Sequence, residues 1–307
     1  MGFEKCCQCR NVKKYNTQHN PKPMVWAQEV SESISSLLWY IPNIDSVQSY
    51  KDELIENKVY DNLTFDYICS SLGMSEEKDF LFLNNKAVIS EDLWDFYQGE
   101  ICTHCQKAIL TQYSSHTKTK TLLRCIRNAV AHGDFNIVDD MLIGFNVNKQ
   151  GEKKAIIKIK YKELRNSLKT IRECYSKEII IANALNKIGY NTKVNGKPIK
   201  MGNKIIKPDI IAKKDDITYV FEIKVIKKTR YLNKKILDRY LSQVMSYKLG
   251  FHDEKIKIVL VFDTSRLTKS LKEYLEGFKS VIVMDINGII KLSYGEKITW
   301  TRKHGII

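Results

Sequence analysis

Lys207-Pro208-Asp209-Ile210-Ile211-Ala212-Lys213-Lys214-Asp215-Asp216-Ile217-Thr218-Tyr219-Val220-Phe221-Glu222-Ile223-Lys224 reads as two apolar strands joined by a two-residue turn. The flanks are rich in β-branched and aromatic residues, as strands are. With Asp215-Asp216 as the turn, Lys214 faces Ile217, and counting outward Asp209 faces Glu222. Directly opposed residues hold their Cβ atoms ~5 Å apart. Side chains alternate faces, so Lys224 shares the face of Glu222. Two carboxylates this close repel unless a cation sits between them. Mg²⁺ is held by one or two carboxylates plus waters and phosphate oxygens. A lysine beside them adds positive charge where a phosphate and an attacking water would sit. A Glu within so apolar a run is misplaced for packing alone, which points to a task.

These residues resemble the PD-(D/E)XK nuclease superfamily. In that fold a first helix carries a Glu, a hairpin carries the Asp and the Glu-x-Lys, and a following helix often carries a Gln. Here Glu178 lies in a helical pattern ending at Gly189, then come Asp209, Glu222 and Lys224, and Gln243 lies in the helical stretch 239–247 with Tyr247 one turn on. Strands over 256–262, 280–285 and 289–293 and a helix over 267–278 are expected to complete a mixed α/β sheet flanked by helices. The resemblance covers about the last 130 residues, the size of one domain. It implies Mg²⁺ (or Mn²⁺) held by Asp209, Glu222 and the carbonyl of Ile223, a water oriented by Lys224, and Glu178 on a metal water or second ion, with Gln243 beside the site.

The chain has 307 residues and a formal net charge of +15. Residues 1–173 carry 23 Lys+Arg against 22 Asp+Glu, net +1; residues 174–307 carry 27 against 13, net +14. The excess falls on the half with the carboxylate pair, including much of 197–207 and 224–239, and suits a phosphate-backbone partner. No apolar run approaches the ~18–20 residues of a membrane span. The start, Met1-Gly2-Phe3-Glu4-Lys5-Cys6, lacks the apolar core of a secretory signal. A cytoplasmic protein with reduced thiols is expected. Cys6-x-x-Cys9 and Cys102-x-x-Cys105 have the spacing of a four-thiolate zinc site. However, Cys102 and Cys105 fall in what reads as one continuous helix over 91–113, where i, i+3 thiols simply share a face. The N-terminal cysteine cluster also lacks the Gly and turn residues of a knuckle, so zinc is not expected.

The first half reads as mostly helical. Asn20–Pro23 breaks the chain, and helical stretches follow over 25–39, 46–56, 64–70, 91–113, 117–131 and 161–174. A β-hairpin over 141–147 and 154–160 turns at Asn148-Lys149-Gln150-Gly151. Near the end of the 117–131 helix stands Arg127-Asn128-Ala129-Val130-Ala131-His132-Gly133. This resembles the signature of HEPN domains, helical bundles of which many are metal-independent ribonucleases and others inert scaffolds. The resemblance covers about residues 1–173 and implies an all-α bundle with a small β-hairpin.

It also implies a chemistry. RNA brings its own nucleophile in the 2′-OH. His132 could move that proton and Arg127 could hold the non-bridging oxygens, with Asn128 on the His132 face. Arg127 and His132 stand about 140° apart on one helix, at ~100° per residue. The resemblance implies the family's arrangement, a two-fold homodimer in which Arg127 and His132 of both copies meet across the interface.

The sequence thus predicts two domains: a HEPN-like helical domain over 1–173 and a PD-(D/E)XK nuclease domain over 174–307. The expected function is metal-dependent phosphodiester hydrolysis, most naturally of DNA, beside a possible HEPN ribonuclease. The combination resembles prokaryotic anti-phage defence effectors, and a separate regulatory partner protein could act on it. The competing expectations are a restriction-type deoxyribonuclease whose first domain only dimerises, and an inactive nucleic-acid- or partner-binding module.

Overall fold

Phe80-Leu81-Phe82-Leu83, Ala108-Ile109-Leu110, Met141–Val147 and Lys153–Lys160 are short stretches rich in apolar residues, and hydrogen bonding between them satisfies their backbone. They form one sheet in the first of two units, Met1–Tyr175 and Ser176–Ile307. The computed structural model describes residues 12–16, 26–45, 53–56, 58–194, 198–201, 204–224, 232–251, 255–263 and 267–295. The expected chain break at 20–23, residues 46–52 of the expected 46–56 helix, and Cys6, Cys7 and Cys9 lie outside the described residues, as do parts of the basic stretches 197–207 and 224–239.

The first unit runs β1 (Val12–Lys14), α1 (Gln28–Asp45), α2 (Glu53–Glu56), α3 (Lys58–Leu72), α4 (Glu76–Asp79), β2 (Phe80–Asn84), α5 (Glu91–Gly99), β3 (Glu100–Cys102), β4 (Lys107–Gln112), α6 (Lys118–His132), β5 (Phe135–Val138), β6 (Met141–Val147), β7 (Lys153–Lys160) and α7 (Tyr161–Glu173). Its main sheet has the order β2-β4-β7-β6-β5, parallel between β2 and β4 and antiparallel elsewhere. One face packs Ile109, Met141, Ile143, Phe145 and Ile156 against Trp94 and Tyr97 of α5. α6 lies against β6, where a Cβ on Gly144 would stand 2.9 Å from the Cβ of Ala129.

The expected all-α first domain is therefore overturned, since the unit is mixed α/β with a five-stranded sheet. The predicted hairpin over 141–147 and 154–160 is only the β6–β7 pair inside it, and residues 80–84 and 107–112 are strands as well. The expected 91–113 helix stops at Gly99. Beyond it Ile101, Cys102, Ala108, Ile109 and Leu110 are all at most 1% exposed. A helix presents only one stripe to a core, whereas a central strand is buried on both faces. Cys102 consequently ends a strand, and the helical face that it was expected to share with Cys105 does not exist. Among the described residues no helix is long and apolar enough to cross a membrane.

The second unit runs α8 (Lys177–Lys187), β8 (Asn191–Val194), β9 (Ile199–Met201), β10 (Lys204–Ile206), β11 (Ile210–Lys214), β12 (Ile217–Ile223), α9 (Lys234–Gly250), β13 (Ile256–Phe262), α10 (Lys269–Glu276), β14 (Val281–Asp285) and α11 (Ile286–Ser293). The sheet order is β14-β13-β12-β11-β8, parallel across β12, β13 and β14 and antiparallel across β12, β11 and β8. Leu237, Leu241 and Val244 of α9 pack on Val220, Ile258, Leu260 and Phe262. The strand expected over 289–293 is instead part of α11. Asp285 caps that helix by accepting from the Gly288 N–H at 3.0 Å, and Ile286, Ile289 and Ile290 bury one helical face.

Candidate functional site

Asp215 and Asp216 both adopt the left-handed conformation, with φ of 50° and 59°, as a two-residue type I′ turn requires. The turn fixes the ladder at Lys214↔Ile217 through Ile210↔Phe221. One step further, Asp209 lies just before β11, where the same register continued would set it opposite Glu222. Its Oδ2 accepts from the Ile223 N–H at 2.7 Å.

Glu222 shares the face of Val220, the face covered by α9. It is only 4% exposed. Three donors meet its carboxylate there. Oε1 accepts from Lys224 Nζ at 2.5 Å and Gln243 Nε2 at 2.7 Å, and Oε2 accepts from the Tyr247 hydroxyl. Gln243 ties the set together, because its Oε1 accepts from Lys224 Nζ at 2.8 Å while its Nε2 also reaches the Tyr247 oxygen at 3.2 Å. Gln243 and Tyr247 are i, i+4 on α9 and so project together. The Lys224 amine also lies 5.5 Å from the centre of the Tyr240 ring, and its backbone N–H is bonded to Val261 O at 2.8 Å.

Burial and then the charge of Glu222 push the Asp209 carboxyl up to about 6. Glu178, in the first turn of α8, adds a smaller push in the same direction, opposed by the Ile223 N–H and by Lys177. Lys177 Nζ lies 3.6 Å from Glu178 Oε1. The structure thus brings Asp209, Glu222, Lys224 and Gln243 together and sets Glu178 close enough to be felt electrostatically. Tyr247 completes the set through its hydroxyl, a role that the Gln-x-x-x-Tyr spacing alone did not disclose. Burial and its bond to Glu222 raise the Tyr247 hydroxyl well above its ordinary value, so it stays a donor.

The donor set suits a divalent cation. Asp209 Oδ1 and one lone pair of Glu222 Oε2 remain beside an acid pair whose mutual repulsion a cation would relieve. Among the described residues no cluster of three or more His, Cys, Asp and Glu side chains forms a metal site, so the protein would supply two carboxylates and rely on carbonyl and solvent oxygens.

In the first unit α6 carries the Arg127–His132 stretch. Thr117 caps its N-terminus and Gly133, at φ 73°, ends it. Buried Asp61 anchors the same end, accepting from the Lys118 and Thr119 N–H groups at 3.1 Å each. Arg127 Nη2 approaches Asn128 Oδ1 at 3.4 Å and its Nη1 lies 3.9 Å from Asp45 Oδ2 at the end of α1. His132, the last helical residue, is exposed. Within one chain the described contacts do not join Arg127 to His132. Asp45 beside the arginine had no local sequence signal, because it lies far off along the chain.

No curated protein matches the chain. Among solved structures, an XisH family protein from Nostoc punctiforme is similar over 37% of this chain and 93% of its own, at 16% identity and a TM-score of 0.30. An fdxN element excision controlling factor protein from Anabaena variabilis is similar over 36% and 92%, at 17% identity and 0.29. Can2 from Sulfobacillus thermosulfidooxidans, solved in complex with cyclic tetra-adenylate, overlaps 92% of this chain and 56% of its own, at 12% identity and 0.30. Likeness at this level supports no assignment of substrate. The family model described as HEPN pEK499 p136 matches residues 12–181, more than half of the sequence, and the chain belongs to that HEPN family.

Proposed function

We propose that the protein is a nuclease of two parts, a HEPN domain joined to a metal-dependent phosphodiesterase of the PD-(D/E)XK kind with DNA as its main substrate. The observation that carries this reading is the buried Glu222 carboxylate, fixed by Lys224, Gln243 and Tyr247 and facing an Asp209 whose pKa burial and then the Glu222 charge push up. A structural role would favour an apolar residue at this strand position. Held by three donors and set against a second acid, Glu222 is a group kept ready for a ligand.

Asp209, Glu222 and the Ile223 carbonyl would hold Mg²⁺ or Mn²⁺. When bound, such an ion neutralises phosphate charge and acidifies a water. The chain's own residues do the rest. Lys224 presents an amine that Gln243 and Glu222 hold in place, available to a phosphate oxygen or to the attacking water. Tyr247 and Gln243 keep the Glu222 carboxylate from rotating. Glu178 adds negative charge on the Asp209 side, suited to orienting water. The net charge of +14 on residues 174–307 favours a polyanionic substrate.

In the first unit, Arg127 would steady a phosphate and His132 would take the 2′-OH proton, in a homodimer that pairs the motifs. The reading as a prokaryotic defence effector, under the control of a partner protein, rests on the pairing of the two families.

One panel tests these assignments. Plasmid, single-stranded DNA and RNA are incubated with wild type, Glu222→Ala and His132→Ala, in Mg²⁺, Mn²⁺ or EDTA. DNA cleavage is expected to need metal and Glu222, with Glu222→Ala at least about a hundredfold slower, and to survive His132→Ala. DNA cleavage that persists unchanged in Glu222→Ala would remove the second unit from the chemistry. No cleavage of any substrate with either metal would leave a binding module.

A further inference from the structure

Lys158 stands in β7, the central strand of the first unit's sheet, opposite Ile143 of β6 and on the same face as Ile156. That face is apolar and covered by Trp94 and Tyr97. Lys158 is nevertheless 0% exposed. Burying an amine is costly unless polar groups receive it, and an apolar side chain would fill the place without that cost. The Lys158 Nζ donates to Cys102 O at 3.0 Å and to Cys105 Sγ at 3.1 Å, and lies 5.7 Å from the centre of the Tyr97 ring. Packing alone does not call for a lysine here, and its amine is aimed at a sulfur.

Cys105 lies in the short connection from β3 to β4. It is half-buried, whereas Cys69, Cys102 and Cys125 are buried. A small oxidant can therefore reach the Cys105 sulfur from solvent while the amine faces it from the interior. The two atoms belong to residues 53 apart in the chain, so the tertiary fold sets their contact. One oxygen atom placed between sulfur and nitrogen would bring them only slightly closer than the observed 3.1 Å. A direct sulfur–nitrogen bond would need a much larger shift of two well-packed segments.

We propose that Cys105 and Lys158 form a peroxide-responsive crosslinking site, in which the sulfur and the nitrogen become joined through one oxygen atom. A first peroxide molecule oxidises the thiol to a sulfenic acid and leaves as one water. The amine reacts in its neutral form, any further proton going to solvent. A second peroxide oxidises its nitrogen. A bond forms between the nitrogen and the sulfenic oxygen, the sulfenic hydrogen and one amine hydrogen depart, and this peroxide leaves as two waters. Sulfur and nitrogen each lose two electrons, and the two peroxides take up the four. Two dithiol molecules reverse the change: they become disulfides, the bridging oxygen leaves as water, and the thiol and amine return. The bridge ties the β3–β4 connection to the middle of the sheet and closes a loop over residues 105–158.

The test treats the reduced full chain with hydrogen peroxide and maps it by mass spectrometry. Cleavage after Glu100, Glu152 and Glu163 places Cys105 in peptide 101–152 and Lys158 in peptide 153–163. The oxidised protein is expected to yield the two peptides joined, at a mass about 14 Da above their sum, one oxygen gained and two hydrogens lost. Dithiothreitol should separate them. Cys105→Ser should abolish the joined species, while Cys125→Ser and Cys174→Ser should keep it. If Cys105→Ser does not fold, fragmentation of the wild-type species decides, by locating the link at Cys105 and Lys158. No joined peptides at a dose that fully oxidises the exposed Cys174 overturns the site. So does a mass about 2 Da below the sum, which marks a direct sulfur–nitrogen bond, or a link that persists in Cys105→Ser.

Discussion

Asp209 is a residue whose cost to the fold can be measured apart from its chemistry. Burial and the Glu222 charge hold its pKa near 6, so the folded state keeps a proton that the unfolded chain releases at the ordinary carboxylate value. The favourable contribution of that proton is complete below the unfolded value and is lost as pH rises through about 6. Asp209→Asn cannot ionise, yet keeps an oxygen for the Ile223 N–H. In EDTA it is expected to match wild type near pH 4 and to be more stable by about 1–2 kcal/mol near pH 7.5, after allowance for partial exposure. Urea unfolding at the two pH values measures this. A variant that gains stability and loses cleavage marks a residue kept for function. Equal stability at both pH values would mean that the carboxyl is not strained. At this scale much was legible. The hairpin register follows from a two-residue turn and period two, and the i, i+4 spacing of Gln243 and Tyr247 follows from one helix. Asp45 beside Arg127 and Asp61 at the start of α6 were not, because both meet their partners through tertiary packing.

Elements show where reading by periodicity fails. The stretch 91–113 carries apolar residues at helical spacing, but Gly99 stops α5, and the two short apolar runs beyond it, Ile101-Cys102 and Ala108-Ile109-Leu110, are buried in β3 and β4. A short apolar run is ambiguous until its neighbours are known. The same ambiguity hid β2 and turned α11 into an expected strand. The helix read over 117–131 matches α6, Lys118–His132, to within a residue at each end, because a long amphipathic stripe and a terminal glycine agree. Its fit on the sheet is tight, and the contact runs through Gly144. Gly144→Ala sets two Cβ atoms 2.9 Å apart unless α6 moves away from β6. It is expected to cost about 1–3 kcal/mol, read from a lowered melting temperature. Because α6 carries Arg127 and His132, any RNA cleavage should fall with it, while the metal-dependent DNA cleavage proposed for the second unit should not. An unchanged melting temperature would mean that this contact is slack.

At the scale of the whole molecule, the first half's family was readable from seven residues although its fold was not. Arg127-Asn128-Ala129-Val130-Ala131-His132-Gly133 is a local pattern, while the sheet behind it depends on pairings between distant strands. That local pattern also sets a geometric demand. Arg127 and His132 diverge by about 140° around α6, and in one chain the arginine is turned to Asp45 and Asn128. One copy alone serves a phosphate poorly, whereas a two-fold pair can offer the arginine of one chain and the histidine of the other. Arg127→Ala and His132→Ala should each abolish RNA cleavage in EDTA. When the two are mixed and allowed to exchange subunits, about half of the dimers are mixed ones, and each contains one intact arginine and one intact histidine on opposite chains. Activity should return to a fraction of wild type, on the order of a quarter, while light scattering reads a dimer throughout. A mixture as inactive as its components, with exchange verified by mass-tagged chains, would show that the two residues do not work across an interface.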